Sequence, residues 1–163
     1  MRLNHVGLTV SDLDRAINFF RDVIGLDLAG SGEVAYPHLD EIIGIGTTQL
    51  RWAELTIPGE GLLELFQYIE PRGVDRSDQR TCDPGTAHVC FECDDVAAVL
   101  DRAIEAGYRA RTSQPVRIPF GDWEGWLCVY VVGPDSTTIE LVERPEGAPP
   151  GVPGAAARMR EDR

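Results

Sequence analysis

His5-Val6-Gly7-Leu8-Thr9-Val10-Ser11-Asp12-Leu13 decides the fold, because the chain repeats its pattern as His88-Val89-Cys90-Phe91-Glu92-Cys93-Asp94-Asp95-Val96. Each copy opens on histidine, continues as an apolar-rich strand, and reaches aspartate seven residues after the histidine. A helical pattern follows in both. Its apolar positions are Leu13, Ala16, Ile17, Phe20, Val23 and Ile24 in the first copy, and Val96, Val99, Leu100, Ala103 and Ile104 in the second. Spacings of three and four residues put such side chains on one face of a helix. Ser11 or Asp12, and Asp94 or Asp95, are suited to cap these helices, because a short polar side chain accepts from the free N–H groups of the first turn. Gly25 and Gly107 stand where a helix-ending glycine belongs.

Strand-like runs follow each helix: Gln49 to Ile57 and Leu62 to Tyr68, then Leu127 to Val132 and Thr137 to Glu143. Turn residues separate the members of each pair, namely Pro58-Gly59-Glu60-Gly61 and Gly133-Pro134-Asp135-Ser136. Each copy therefore reads as strand, helix, then two or three strands. Residues 1–69 form a first module, 70–86 a linker, 87–145 a second module, and 146–163 a flexible tail. Residues 29–48, with Gly30, Gly32, Gly44 and Gly46, read as a mobile loop over a site.

The composition narrows the partners. With 27 acidic and 15 basic residues, the net charge of −12 repels phosphate backbones and anionic membranes. No apolar run approaches a membrane span. The N-terminus carries no secretory pattern. The expectation is a cytoplasmic protein that binds neither nucleic acid nor membrane. The C-x-x-C pair Cys90 and Cys93 falls on a strand, where residues three apart point to opposite faces. These cysteines read as ordinary buried thiols.

Four side chains carry the chemistry. Glu64 interrupts the apolar run Leu62-Leu63-Glu64-Leu65-Phe66, and Glu140 interrupts Thr138-Ile139-Glu140-Leu141-Val142. A carboxylate in such a strand is costly to desolvate unless it is paired or bound to metal. His5 and His88 open the first strand of each copy. Any one of the four, taken alone, reads as a solvent-facing residue; their recurrence at matching places favours a shared role. Two imidazoles and two carboxylates suit one divalent ion such as Zn, Ni, Co, Fe or Mn. Trp52, Phe66, Tyr68, Trp126 and Tyr130 lie on the inferred strands, where they either pack the core or contact a substrate with an apolar or aromatic part. His38, in the 29–48 stretch, is left outside the ligand set. Arg51, Arg80 and Arg117 are cations able to pair with a carboxylate, but nothing in their spacing singles them out.

The first histidine motif, followed by Phe19-Phe20-Arg21-Asp22-Val23-Ile24-Gly25-Leu26, resembles the first module of the vicinal oxygen chelate superfamily, which includes glyoxalase I, bleomycin-resistance proteins and extradiol dioxygenases. His88 through Gly107 and Gly133-Pro134-Asp135-Ser136-Thr137-Thr138-Ile139-Glu140-Leu141 resemble its second module, and the likeness spans about residues 3–144. The resemblance implies an α+β fold of two tandem β-α-β-β-β modules, whose mixed sheets curve into a cup with helices outside. It implies metal ligands on the first and last strands of each module, here His5, Glu64, His88 and Glu140, and a homodimer. The ligand set is similar to those of glyoxalase I and methylmalonyl-CoA epimerase-like members.

The activity implied is that of a divalent-metal-dependent lyase or isomerase of the glyoxalase type. Such an enzyme takes a proton from the carbon next to a metal-polarised carbonyl of a small substrate, with Glu140 and its counterpart Glu64 as catalytic residues. Thr9 and Tyr68 replace the Arg and Asn that serve glutathione in bacterial glyoxalase I, which argues against glutathione here. Gly46-Thr47-Thr48-Gln49 stands where the epimerases carry a carboxylate base, leaving Glu41 and Glu54 as substitutes. The alternatives are a metal-free protein that binds an antibiotic or other small molecule, and a non-haem iron extradiol dioxygenase.

Overall fold

Alternating burial along His5–Thr9 gives strand β1, and Asp12 then starts a helix by accepting from the Arg15 N–H. The structure, a computed structural model, describes residues 2–59, 61–75, 78–149 and 151. Of the tail expected from residue 146 onward, 150 and 152–163 lie outside the described residues. The chain divides after Arg80 into two units, the turn Pro134–Ser136 grouping with the first.

In the first unit, α1 (Leu13–Asn18) runs directly into a wider π-helical stretch, Phe19–Ile24, ended by Gly25 at φ +93°. The wider winding lets the consecutive residues Phe19 and Phe20 both reach the core, where their rings meet edge to face at 5.1 Å. The chain continues through β2 (Asp27–Val34), α2 (Pro37–Ile43), β3 (Gln49–Ile57) and β4 (Gly61–Glu70). The strand order is β1-β4-β3-β2, with β1 parallel to β4 and the other pairs antiparallel. One sheet face carries Ala53, Leu55, Leu63 and Leu65, all fully buried along with the helix residues Leu13, Ala16, Phe19 and Phe20. Removing apolar surface from water is what drives this packing. The opposite face carries His5, Gly7, Thr9, Leu62, Glu64 and Phe66, because directly paired residues share a face.

The second unit repeats the plan. Asp95 accepts from the Ala98 N–H and opens α3 (Val96–Glu105), which follows β5 (His88–Glu92). Then come the two-residue strands β6 (Arg109–Ala110) and β7 (Val116–Arg117), followed by β8 (Leu127–Val132) and β9 (Thr138–Glu143). The order is β5-β9-β8-β6, with β7 also on β8, and β5 is parallel to β9. Val96, Val99, Leu100 and Ala103 are buried, as are Val129, Val131, Ile139 and Leu141 on one sheet face. The two open, mixed sheets with few helices make this an α+β fold of two β-α-β-β-β modules. No helix among the described residues is long and apolar enough to cross a membrane.

The residue three places beyond each site glutamate also caps the preceding helix. Gln67 Oε1 accepts from the Leu13 N–H at 3.3 Å while its amide donates to the Ser11 carbonyl at 2.8 Å. Glu143 accepts from the Val96 N–H at 2.9 Å. The helix start is thereby fastened to the last strand of its unit.

The mobile loop expected over residues 29–48 is corrected: this stretch is mostly strand β2 and helix α2. Its glycines have specific duties. Gly30 and Gly32 lie beneath the Trp52 indole, where a Cβ would stand 3.6 Å and 3.2 Å from the ring. Gly44, at φ +76°, closes α2 in the left-handed conformation that glycine tolerates. Asp40 ties down the following turn by accepting from the Thr48 N–H at 2.7 Å and the Thr47 N–H at 3.0 Å.

Two predictions follow from these ties. Asp95→Ala lowers the stability of the second unit by about 1 kcal/mol, the usual value of an N-cap, as read by urea denaturation. The bonds from Thr48, then Thr47, hold the Asp40 carboxyl below its ordinary 3.8. That contribution is complete above pH 3.8 and is lost as pH falls through the lower folded value. Asp40→Ala speeds amide hydrogen exchange at Thr47 and Thr48, while the β3–β4 ladder keeps its protection.

Candidate active site

Parallel pairing builds the site geometry in each unit. His5 pairs with Leu62 and Gly7 with Glu64, so His5 and Glu64 share a face one step apart on neighbouring strands. Their side chains meet with Nε2 to Oε2 at 3.7 Å. The other ring nitrogen of His5 pairs with Asn4 Oδ1 at 2.7 Å, which orients the ring and leaves Nε2 for the carboxylate. In the second unit His88 pairs with Thr138 and Cys90 with Glu140. There His88 Nε2 stands 3.0 Å from Glu140 Oε2.

Both carboxylates remain partly open, with Glu64 22% and Glu140 18% exposed at the side chain. The His88–Glu140 gap of 3.0 Å is hydrogen-bonding distance, and the His5–Glu64 gap of 3.7 Å is wider. Nitrogen and oxygen donors of this kind suit a borderline divalent metal. Among the described residues, no group of three or more His, Cys, Asp or Glu forms a metal-holding cluster; the four residues occur as two pairs, one in each unit.

The expected aromatic residues fall as follows. Trp52 pairs with Phe66 on the face of Glu64, and Tyr68 pairs with Leu50 on the same face. Tyr130 pairs with Glu140, its ring centre 5.8 Å from that of His88. Trp126 is buried, edge-on to Trp123 at 4.8 Å and under the Arg144 guanidinium at 5.2 Å. Arg144 also forms an ion pair with Glu92 at 2.6 Å. His38 lies on α2, 3.6 Å from Glu41, and both are exposed. Arg51 belongs to the helix side of its sheet, where it pairs with Asp14 at 2.9 Å.

The sequence reading missed the surroundings of Glu140. Cys128 donates from Sγ to Glu140 Oε1 at 3.3 Å. Cys90, read as a buried thiol, is instead exposed, because it occupies the face of His88 and Glu140 rather than the helix side. Its sulfur is nonetheless partly shielded: burial, followed by the Glu140 carboxylate and Cys128, pushes its thiol up to about 12. Burial and then Glu140 likewise push the Cys128 thiol up to about 12, and raise Tyr130. Cys93 turns elsewhere, its sulfur 3.6 Å from the Val142 carbonyl. The two cysteines of the C-x-x-C pair thus serve different surroundings. Strand register would have placed Cys90 directly across from Glu140.

The description Glyoxalase/Bleomycin resistance protein/Dioxygenase superfamily fits residues 2–122. A 2-epi-5-epi-valiolone epimerase of Actinomyces sp is 34% identical over 155 residues, covering 90% of this chain and 81% of the relative. An ethylmalonyl-CoA/methylmalonyl-CoA epimerase of Cereibacter sphaeroides is 30% identical over 118 residues, covering 72% and 79%. Among solved structures, a glyoxalase family protein from Bacillus cereus aligns with a TM-score of 0.78 at 24% identity, over 88% of this chain and 93% of that one. A mutant glyoxalase I from Zea mays aligns with a TM-score of 0.64 at 20% identity, over 89% of this chain and 46% of that one. The two solved structures speak for the fold alone.

The glycine floor under Trp52 gives a test of the site face. A methyl added at Gly32 meets the indole at 3.2–3.3 Å, so the ring must shift. Gly32→Ala costs about 1–3 kcal/mol by overpacking and changes the tryptophan near-ultraviolet circular dichroism. In a Trp52→Phe background the cost of Gly32→Ala falls toward zero, as a double-mutant cycle by urea denaturation will show.

Proposed function

This chain belongs to the Glyoxalase/Bleomycin resistance protein/Dioxygenase superfamily, and we propose that it is a divalent-metal-dependent isomerase, an epimerase acting at the carbon beside a carbonyl. The observation that carries the reading is the imidazole–carboxylate pair on the open sheet face of each unit, at 3.0 Å and 3.7 Å. The names of the two epimerase relatives support isomerase over lyase chemistry. The ligands we assign are His5, Glu64, His88 and Glu140, and Zn, Ni, Co, Fe or Mn suits them. When bound, the cation polarises a substrate carbonyl and makes the neighbouring C–H bond more acidic.

Glu64 and Glu140 are the carboxylates available to accept that proton and return it. Both are only partly exposed, which limits competition from water. Trp52, Phe66, Tyr68 and Tyr130 are the aromatic residues available to receive an apolar or ring-shaped part of the substrate, and Trp126, assigned to the same role, is buried against Trp123 and Arg144. The substrate class is a small carbonyl compound with a stereocentre next to the carbonyl. A homodimer and a cytoplasmic location belong to the same reading.

The test is hydrogen exchange. Protein loaded with Co or Zn, in deuterium oxide, replaces the hydrogen next to the carbonyl of small chiral ketones or acyl thioesters, as followed by proton NMR. Glu140→Gln and Glu64→Gln each slow this exchange by about 10²–10⁴-fold, the usual contribution of a positioned acid or base. A metal-loaded wild type that exchanges nothing across the panel overturns the reading. Tight drug binding by protein purified free of metal would replace it with a binding function.

A further inference from the structure

Directly paired residues share a sheet face, so the ladders of the first unit define what stands around Glu64. One row runs Gly30, Glu54, Glu64, Gly7 across β2, β3, β4 and β1. On one side of it lies the row Gly32, Trp52, Phe66, Thr9, and on the other the row Asp27, Thr56, Leu62, His5. Two carboxylates are thus set opposite each other with a glycine at either flank, and like charges so paired repel. No arginine stands in these rows; Arg51, between Trp52 and Leu50 in β3, turns to the helix side and Asp14.

Glu54 is partly buried, and among the described residues no group donates to it and no cation pairs with it. Trp52, two residues back on the same face, is laid across β2. A Cβ at Gly30 would stand 3.6 Å from ring atoms Cη2 and Cζ3, and one at Gly32 would stand 3.2 Å from Nε1. Gly30 is the residue directly across from Glu54, so the six-membered ring of the indole and the carboxylate are neighbours.

An ionised carboxylate only accepts hydrogen bonds, so the partner that Glu54 lacks is a donor. The face of an indole is negative and takes the weakly positive C–H side of a ring. A polyhydroxylated ring offers both, with hydroxyls at its rim and C–H groups on its face. An ammonium donor would be repelled by the cation assigned beside Glu64, and an anionic substrate by Asp27, Glu54 and Glu64 together. We propose that Glu54 and Trp52 are specificity-determining residues, and that the substrate is a neutral polyhydroxylated ketone that stacks on the indole while its hydroxyls donate to Glu54. The inference rests on the isomerase reading above and names the substrate class of that site. It sets phosphate-bearing acyl thioesters outside the class.

The test uses three probes on the Co-loaded full chain: a pentahydroxycyclohexanone, 2-methylcyclohexanone and an acyl-CoA thioester. Binding is followed by tryptophan fluorescence and calorimetry. The polyhydroxylated ketone binds about 10-fold or more tighter than the other two, and its fluorescence signal is lost in Trp52→Phe. Glu54→Ala weakens its binding about 10–100-fold, the range for hydrogen bonds to a charged group. Glu54→Gln keeps an acceptor oxygen and loses less. In hydrogen exchange the loss in both variants falls on KM. The inference is overturned by equal binding of the polyhydroxylated ketone to wild type and Glu54→Ala, by tighter binding of the thioester, or by a loss confined to kcat, which would make Glu54 a base. Exchange on 2-methylcyclohexanone with no preference for the polyhydroxylated ketone also overturns it and leaves the isomerase reading standing. A wild type that binds the polyhydroxylated ketone through Glu54 but exchanges no probe overturns the isomerase reading instead.

Discussion

Parallel pairing of the first and last strand in each unit is the constraint on which the site depends. In both units the histidine sits one same-face step before the residue that faces the glutamate: His5 before Gly7, and His88 before Cys90. That stagger brings the imidazole and the carboxylate to one face and within reach of each other. A shift of one residue would turn a carboxylate into the helix-packed layer and lift a leucine or isoleucine out of it. Burying the apolar partners of Glu64 and Glu140, namely Leu63, Leu65, Ile139 and Leu141, therefore specifies where the polar residues go. The core's demand for register supplies the site's geometry.

Much of this was legible before any coordinates. The repeated histidine strand, the aspartate caps and the interrupted apolar strands marked both modules. Strands β3, β8 and β9 follow the runs read from alternation to within a residue. The 29–48 stretch was misread because glycine counts as a breaker when only local propensity is weighed. Gly30 and Gly32 are in a strand because an indole from the next strand needs the space, a reason that lies outside the segment itself. The exposure of Cys90 has a similar origin. Cys90 and Cys128 lie far apart in the chain and meet at Glu140 only through pairing partners. Propensity carries no information on such distant neighbours.

The comparison of the units also shows how a duplicated plan diverges. Backbone pairing is kept, and the paired residue beside each glutamate has become glycine in one unit and cysteine in the other. The second strand is continuous in the first unit and split into β6 and β7 in the second. Two relatives of this chain are named epimerases, while its own stretch from Gly46 to Gln49 holds no carboxylate. Glu54 lies directly across from Glu64 in the β3–β4 ladder.

The bonds from Gln67 to Leu13 and from Glu143 to Val96 have a mechanical meaning. Each fastens the mouth of a helix to the strand bearing a site glutamate, three residues downstream of it. Helix and strand then behave as one rigid bracket. Length changes are absorbed most easily in the segments between the helix and the later strands, where this chain carries α2 in one unit and a broken edge in the other. The scaffold can thus be remodelled around its rim while the bracket that aims each carboxylate stays true.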